Sequence, residues 1–202
     1  MYQPQQQRSA VNSCLCLILS IMTAIVVSLG VIILIMYFIF KPRYPEILVD
    51  TAQLTSLSVT SNQQYLTAKW DITFIASNPN KKLDITYDAV SVGVFYGEKK
   101  DQFGLLAKPH IQPFYQPKKS RTIFGVHVEV VDKLVGNAIV KGITDERFRG
   151  SVKFGVVFNA VIKRKGLFQP KDRALQVTCS PLNFIPSNTP TWVLQHPVKC
   201  EI

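Results

Sequence analysis

No charged side chain occurs between Cys14 and Phe40, and this run constrains the chain more than any other feature. Only Ser20, Thr23, Ser28 and Gly30 interrupt its apolar residues. About 20 such residues in a helix cross the hydrocarbon of a bilayer, so the run spans one with length to spare. The apolar core of a cleaved secretory leader is shorter, about 7–15 residues, and ends at small residues. This run instead leads into "MYFIFKPR". Residues 14–40 therefore read as a retained, single membrane-spanning helix.

The run divides the chain. Residues 1–13 are Gln-rich and polar and read as a disordered tail. Residues 41–46, "KPRYPE", read as a stiff connector, because Pro42 and Pro45 favour extended backbone. Residues 47–202 are left to fold, enough for one ordinary domain. Net charge is +10, and Arg8 is the only charged side chain ahead of the membrane run. The remaining 22 of the 23 Lys and Arg, with all 13 Asp and Glu, lie from Lys41 onward. That part is basic, which suits anionic headgroups or acidic polymers as well as simple solvation. Arg8 on one flank nearly balances Lys41 and Arg43 on the other, with a slight lean toward a cytosolic C-terminal part.

Beyond the connector, hydrophobicity alternates with the period of half-buried strands. Ala68, Trp70, Ile72, Phe74 and Ala76 share one face, while Lys69, Asp71 and Thr73 share the other. Leu57 and Val59 precede them. Leu83, Ile85 and Tyr87 follow, then Val90, Val92, Val94 and Tyr96, with "YGEKKDQFG" as a turn. Thr122 to Val130, Val152 to Ile162, and Leu175 to Cys179 alternate in the same way. Between them, Val131, Leu134, Val135, Ala138 and Ile139 recur at helical spacing, with Asp132 as a cap. About seven strands and one short helix predict an all-β fold, an antiparallel sandwich of two sheets.

Four cysteines form two pairs. Cys14 and Cys16 stand at the headgroup level of the span, as candidates for palmitoylation or as two small apolar residues. Cys179 and Cys200 lie near the C-terminal end. A bridge between them would close a loop of about 20 residues, worth ~3 kcal/mol, and would form on the extracytoplasmic side; two separate thiols are the alternative.

Catalytic constellations are not found. His110, His127 and His196 are not spaced as metal ligands, and the cysteines match no zinc site. There is no nucleophile elbow, P-loop or zinc-protease helix motif, and no cofactor is implied. Basic clusters at strand ends lack the interleaved exposed aromatics that bind single strands, so nucleic acid is not expected. Within "ITFIASNPNKKLDITY", Asn78-Pro79-Asn80 either holds a ligand or turns the chain. Pro79 lacks a donor and fixes φ, Asn78 suits an Asx-turn and Asn80 tolerates left-handed backbone. The residues favour a structural corner.

The block "ITFIASNPNKKLDITYDAVSVGVFYG", with Asn78, Pro79, Asn80 and Tyr87, resembles the signature of the group-2 late-embryogenesis-abundant domain, also called the water-stress and hypersensitive-response domain. "PFYQPKKSRTIFGVHVEV" and "RGSVKFGVVFNAVIKRKG" with "LQVTC" are similar to its later blocks. Behind one membrane span, residues 14–202 resemble the plant non-race-specific disease resistance and harpin-induced-like proteins. The resemblance implies a fibronectin-III-like sandwich without enzymatic activity. It implies a single-pass plant plasma-membrane protein, with plasmodesmata as another location, whose domain faces outward in defence and stress responses. Two functions follow: an outward module touching wall or membrane components or partner proteins, or a cytosol-facing module protecting the membrane through anionic lipid.

Overall fold

The computed structural model describes residues 5–40, 43–60, 64–97, 104–165 and 172–202. The chain divides into two compact units, Met1–Pro42 and Arg43–Ile202. The first contains one helix, α1 (Gln5–Phe40), whose stretch Leu15–Phe38 is long and apolar enough to cross a membrane. Its few polar groups find partners inside the helix. The Thr23 hydroxyl lies 3.0 and 2.8 Å from the carbonyls of Leu19 and Ser20, and Ser28 donates to Ile25 at 2.9 Å. Hydroxyls bonded this way do not demand water, which a bilayer lacks. Residues 5–13, expected to be irregular, are helical, because a helix nucleated in the apolar run propagates cheaply through Gln, Ala and Arg. Residues 1–4, 41 and 42 of the expected tail and connector lie outside the described residues.

Among its described residues the second unit is all-β apart from one helix. In chain order it has β1 (Glu46–Thr60), β2 (Tyr65–Ser77), β3 (Asp84–Tyr96), β4 (Leu105–Ala107), β5 (Phe114–Gln116), β6 (Arg121–Leu134), α2 (Asn137–Phe148), β7 (Val152–Lys165), β8 (Arg173–Pro186), β9 (Trp192–Leu194) and β10 (Val198–Lys199). All pairings are antiparallel. One layer is β1-β2-β6; the other is β8-β7-β3, with β4 and β5 both on the outer edge of β3. The short strand β9 pairs with both β8 and β1, so the two layers form one nearly closed sheet. At the other seam Lys133 of β6 donates to the carbonyls of Leu105 and Leu106 in β4, at 2.7 and 2.6 Å.

Aromatic residues from both layers fill the interior. Trp70 meets Phe154 edge-on at 5.2 Å, and Phe74 stacks on Phe124 at 5.4 Å and approaches Phe158 at 6.4 Å. Ala68, Trp70, Ile72, Phe74 and Ala76 are all buried, as their alternation requires.

The strands are longer than alternation alone suggests. Ile85 and Tyr87 are buried at odd positions, Val90, Val92 and Val94 at even ones, yet all belong to β3. The phase switches at a bulge, where pairing with β7 skips between Asp88 and Ser91 and Ala89 takes φ 47°. Leu83, expected on this buried face, precedes the strand and is half-buried. A comparable shift in β8, between the partners of Phe154 and Val156, carries that strand past Cys179 to Leu182 and Phe184.

The helix lies later than its spacing predicts. Val131 and Leu134 continue β6 and are exposed, and α2 begins only after Gly136, whose φ of 85° suits glycine. Asp132 does not cap it; Asp132 sits in β6 and exchanges hydrogen bonds with Thr67 of β2 at 3.0 and 3.1 Å. Ile139, Val140 and Ile143 form the buried face of α2. Most of the turn drawn from "YGEKKDQFG", residues 98–103, lies outside the described residues.

Burial on the outward face of β3 and β7 needs small residues. Phe95 is fully buried there, and a Cβ on Gly155 would overlap its ring. Gly155→Ala is expected to cost about 1–3 kcal/mol through overpacking. Urea unfolding in detergent micelles, followed by fluorescence of the buried Trp70, measures it. Gly125→Ala, where a Cβ meets nothing within 4 Å, serves as the control.

Candidate functional site

A buried polar cluster is built on Asn78-Pro79-Asn80, where β2 ends and the chain turns toward β3. Pro79 cannot extend the ladder, so β2 stops at Ser77. Asn78 and Asn80 are buried, at 3% and 5% exposure, and buried amides require partners. Asn78 donates both side-chain hydrogens, to the carbonyls of Leu83 at 2.9 Å and Pro117 at 3.1 Å. Its Oδ1 accepts from the Asn80 backbone at 3.0 Å, the Asx-turn, and from Asn80 Nδ2 at 2.9 Å. The reverse orientation of this amide would set two donors face to face, so the network dictates it.

Asn80 reaches back to the start of the domain. Its Nδ2 donates to the Arg43 carbonyl at 2.9 Å, and its Oδ1 accepts from the Arg43 backbone at 2.8 Å. One side-chain amide thus pairs with Arg43 as a strand neighbour would. A third segment, residues 116–120, completes the knot. Asn78 N–H donates to the Ser120 carbonyl at 3.0 Å and Lys119 N–H to the Asn80 carbonyl at 3.0 Å. Gln116, fully buried, donates to Ala76 at 2.7 Å and Ser120 at 3.2 Å, and accepts the Tyr87 hydroxyl at 2.8 Å. Tyr87 is itself fully buried, stacks on Phe114 at 4.4 Å, and has its pKa raised by burial.

Both donors of Asn78, Asn80 and Gln116 are spent on the chain itself, leaving no amide hydrogen for a guest. Asn78, Pro79, Asn80 and Tyr87 act as a structural corner that fastens the 43–45 connector to two loops. Gln116 is the member that periodicity missed. Its only signal is its place ahead of Pro117 and Lys118 in a conspicuous block.

Cys179 of β8 and Cys200 are joined in a disulfide, with Cα atoms 4.2 Å apart. Glu201 pairs with Thr178 beside it, and Cys200 N–H donates to the Ile47 carbonyl at 3.0 Å, so the bridge fastens the C-terminal segment to β8 and β1. Cys16 is a free, exposed thiol on α1; the Cys14 side chain lies outside the described residues. His127 is exposed and 2.7 Å from Asp71, its cross-strand neighbour; His110 instead pairs with Ser91 of β3, and His196 follows β9. The neighbouring pair Lys69–Glu129, 2.7 Å, holds the Glu129 carboxyl below its usual range. Among the described residues no group of three His, Cys, Asp or Glu is placed to hold a metal ion.

Curated plant proteins resemble the chain along most of its length. NDR1/HIN1-like protein 3 of Arabidopsis thaliana is 28% identical over 203 residues, covering 93% of this chain and 80% of the relative. NDR1/HIN1-like protein 10 of the same plant is 27% identical, covering 94% and 86%. The chain is thus similar to several NDR1/HIN1-like proteins, two of them along nearly its whole length. A further member, NDR1/HIN1-like protein 6, is 34% identical over half of this chain, and 37% of that relative is matched. No family model matches. Among solved structures, a protein from Archaeoglobus fulgidus covers 70% of this chain at TM-score 0.34 and 10% identity, too loose a likeness to bear on function.

The knot yields two measurements. Asn78→Ala leaves the Leu83 and Pro117 carbonyls without donors and is expected to cost about 2–4 kcal/mol in urea unfolding. An unchanged midpoint would return the corner to the list of ligand sites. Alkaline pH supplies the second. An unfolded tyrosine ionises near pH ~10, while Tyr87 in the fold resists ionisation. Its raised pKa therefore leaves stability untouched below pH ~10 and removes it as pH climbs above that. Tyr87→Phe should flatten the fall in unfolding free energy above pH ~10, although it lowers stability at neutral pH by about 1 kcal/mol.

Proposed function

We propose that this NDR1/HIN1-like chain is a non-enzymatic, single-pass plasma-membrane protein of plant defence and stress responses. Its group-2 late-embryogenesis-abundant β-domain is presented outside the cytosol to wall components or partner proteins. The observation that carries this reading is the Cys179–Cys200 bridge. Thiols in the cytosol are kept reduced, so a structural disulfide belongs to a domain that folds on the extracytoplasmic side. The apolar stretch Leu15–Phe38 supplies the anchor. The self-contained hydrogen bonding of the Asn-Pro-Asn corner supports a scaffold rather than a catalyst.

A second reading places the domain in the cytosol as a protective module on anionic lipid. Lys41 and Arg43 favour it, standing on the domain side of the span against Arg8 on the other. Protease protection on sealed plasma-membrane vesicles separates the two. Digestion of residues 43–202 is expected in right-side-out vesicles; digestion only in inside-out vesicles gives the second reading. Non-reducing mass spectrometry of the native protein is expected to find Cys179 and Cys200 refractory to alkylation. Free thiols at both would remove the main support for an outward domain.

A further inference from the structure

We propose that the end of the β-domain that begins at Arg43 is a docking surface for the phosphate-bearing headgroups of an anionic bilayer. This rests on reading Leu15–Phe38 as a membrane span and on the second, cytosol-facing reading above, because the negatively charged leaflet of a plasma membrane is the cytoplasmic one, and it names the residues that would meet the lipid. Strand register gathers them. Ser77 pairs with both Glu46 and Arg121, which sets the start of β1, the end of β2 and the start of β6 side by side. Asp84 pairs with Lys165, and Ile162 with Arg173, which brings the start of β3, the end of β7 and the start of β8 to one end of the other layer. The Asn78–Asn80 knot joins the two groups, and Arg173 lies 3.4 Å from the Tyr44 hydroxyl.

The side chains presented there are largely of one sign. Lys81, Lys82, Lys118, Lys119, Arg121 and Arg173 are all exposed. Most nearby acids are already occupied; the exposed Asp172, beside Arg173, adds its negative charge near Lys163. Glu46 faces Lys199 at 3.5 Å, Asp88 faces Lys163 at 2.9 Å, and Asp84 accepts the Lys118 N–H at 2.9 Å and binds the Tyr115 hydroxyl. Among the described residues, Lys81, Lys118, Lys119 and Arg121 form no ion pair. The opposite end is mixed, with Asp132, Asp145 and Glu146 among its Lys and Arg.

Two further observations select lipid over an acidic polymer. Arg43 is three residues beyond the end of α1 at Phe40. Extended chain covers at most about 3.6 Å per residue, so the covalent tether holds Arg43 itself to within ~11 Å of the end of the span. That is little more than the Debye length of ~8 Å at physiological salt, over which headgroup charge is felt. The same end also carries exposed aromatic and aliphatic surface: Tyr44 at 41%, Tyr115 at 51% and Ile123 at 68%. Tyrosine beside Lys and Arg is the composition of a membrane interface, where a ring meets acyl boundary and headgroup together. Polysaccharide binding has no need of the tether.

Lysine footprinting of the full chain in nanodiscs tests this. An amine-acetylating reagent is applied to the protein in neutral phosphatidylcholine discs and in discs also containing phosphatidylglycerol. Acetylation of Lys81, Lys118 and Lys119 is expected to slow several-fold in the anionic discs and to recover at high salt. Lys141 and Lys153, toward the opposite end, should react alike in both. Charge reversal by Lys118→Glu with Lys119→Glu, on exposed side chains, should restore Lys81 reactivity in the anionic discs. Equal rates for all five lysines in both discs would overturn the proposal. Protection by added polygalacturonate but not by anionic lipid would overturn it in favour of an acidic polymer. Failure of the chain to co-elute with neutral discs would instead remove the membrane span, and with it the tether argument.

Discussion

The side-chain amide of Asn78 is the interaction on which this domain's organisation turns. It is buried, so each of its hydrogens and its oxygen lone pairs needs a partner. Those partners come from its own turn, from Leu83 and from Pro117, segments separated by up to 39 residues. Asn80 extends the same logic to Arg43, 37 residues away, and Gln116 extends it to Ala76, Ser120 and Tyr87. Three loops that have little apolar surface of their own are held as one body. The hydrophobic core below, centred on Trp70, Phe74, Phe154 and Phe158, supplies the stability but cannot specify how loops sit above it.

The legible part of the fold was the part governed by one face and one period. The run from Ala68 to Ala76 alternates without interruption because β2 lies between two partners and meets the core on one side only. Three elements defeat the same reading for different reasons. β3 changes phase at Ala89, so one strand looks like two. Its second half is buried on both faces, with Ser91 and Phe95 enclosed, which erases alternation. β9 and β10 are too short to show any period, yet β9 joins the two layers.

Helical spacing predicts the helix too early for a related reason. Val131 and Leu134 have helical spacing but also extend a strand of β-branched residues, and long-range pairing with β2 prevails over local pattern. At the corner, the turn chemistry of Asn-Pro-Asn was plain from residue types. Its partners were not, because backbone carbonyls carry no residue-specific signature. Gln116 could be found only from the block around it, since a lone polar residue between two prolines reads as solvent-exposed loop.

The seam at Lys133 has a consequence for the edges of the sheet. A sheet with two ends offers unpaired backbone to any neighbour, which favours edge-to-edge polymerisation. Here one end of the sheet is closed by an ammonium group that occupies the carbonyls of Leu105 and Leu106. An incoming strand would have to displace a charged side chain before it could hydrogen-bond there. The same lysine thus ties the two layers together and blunts the β4 edge, as charged side chains on edge strands do.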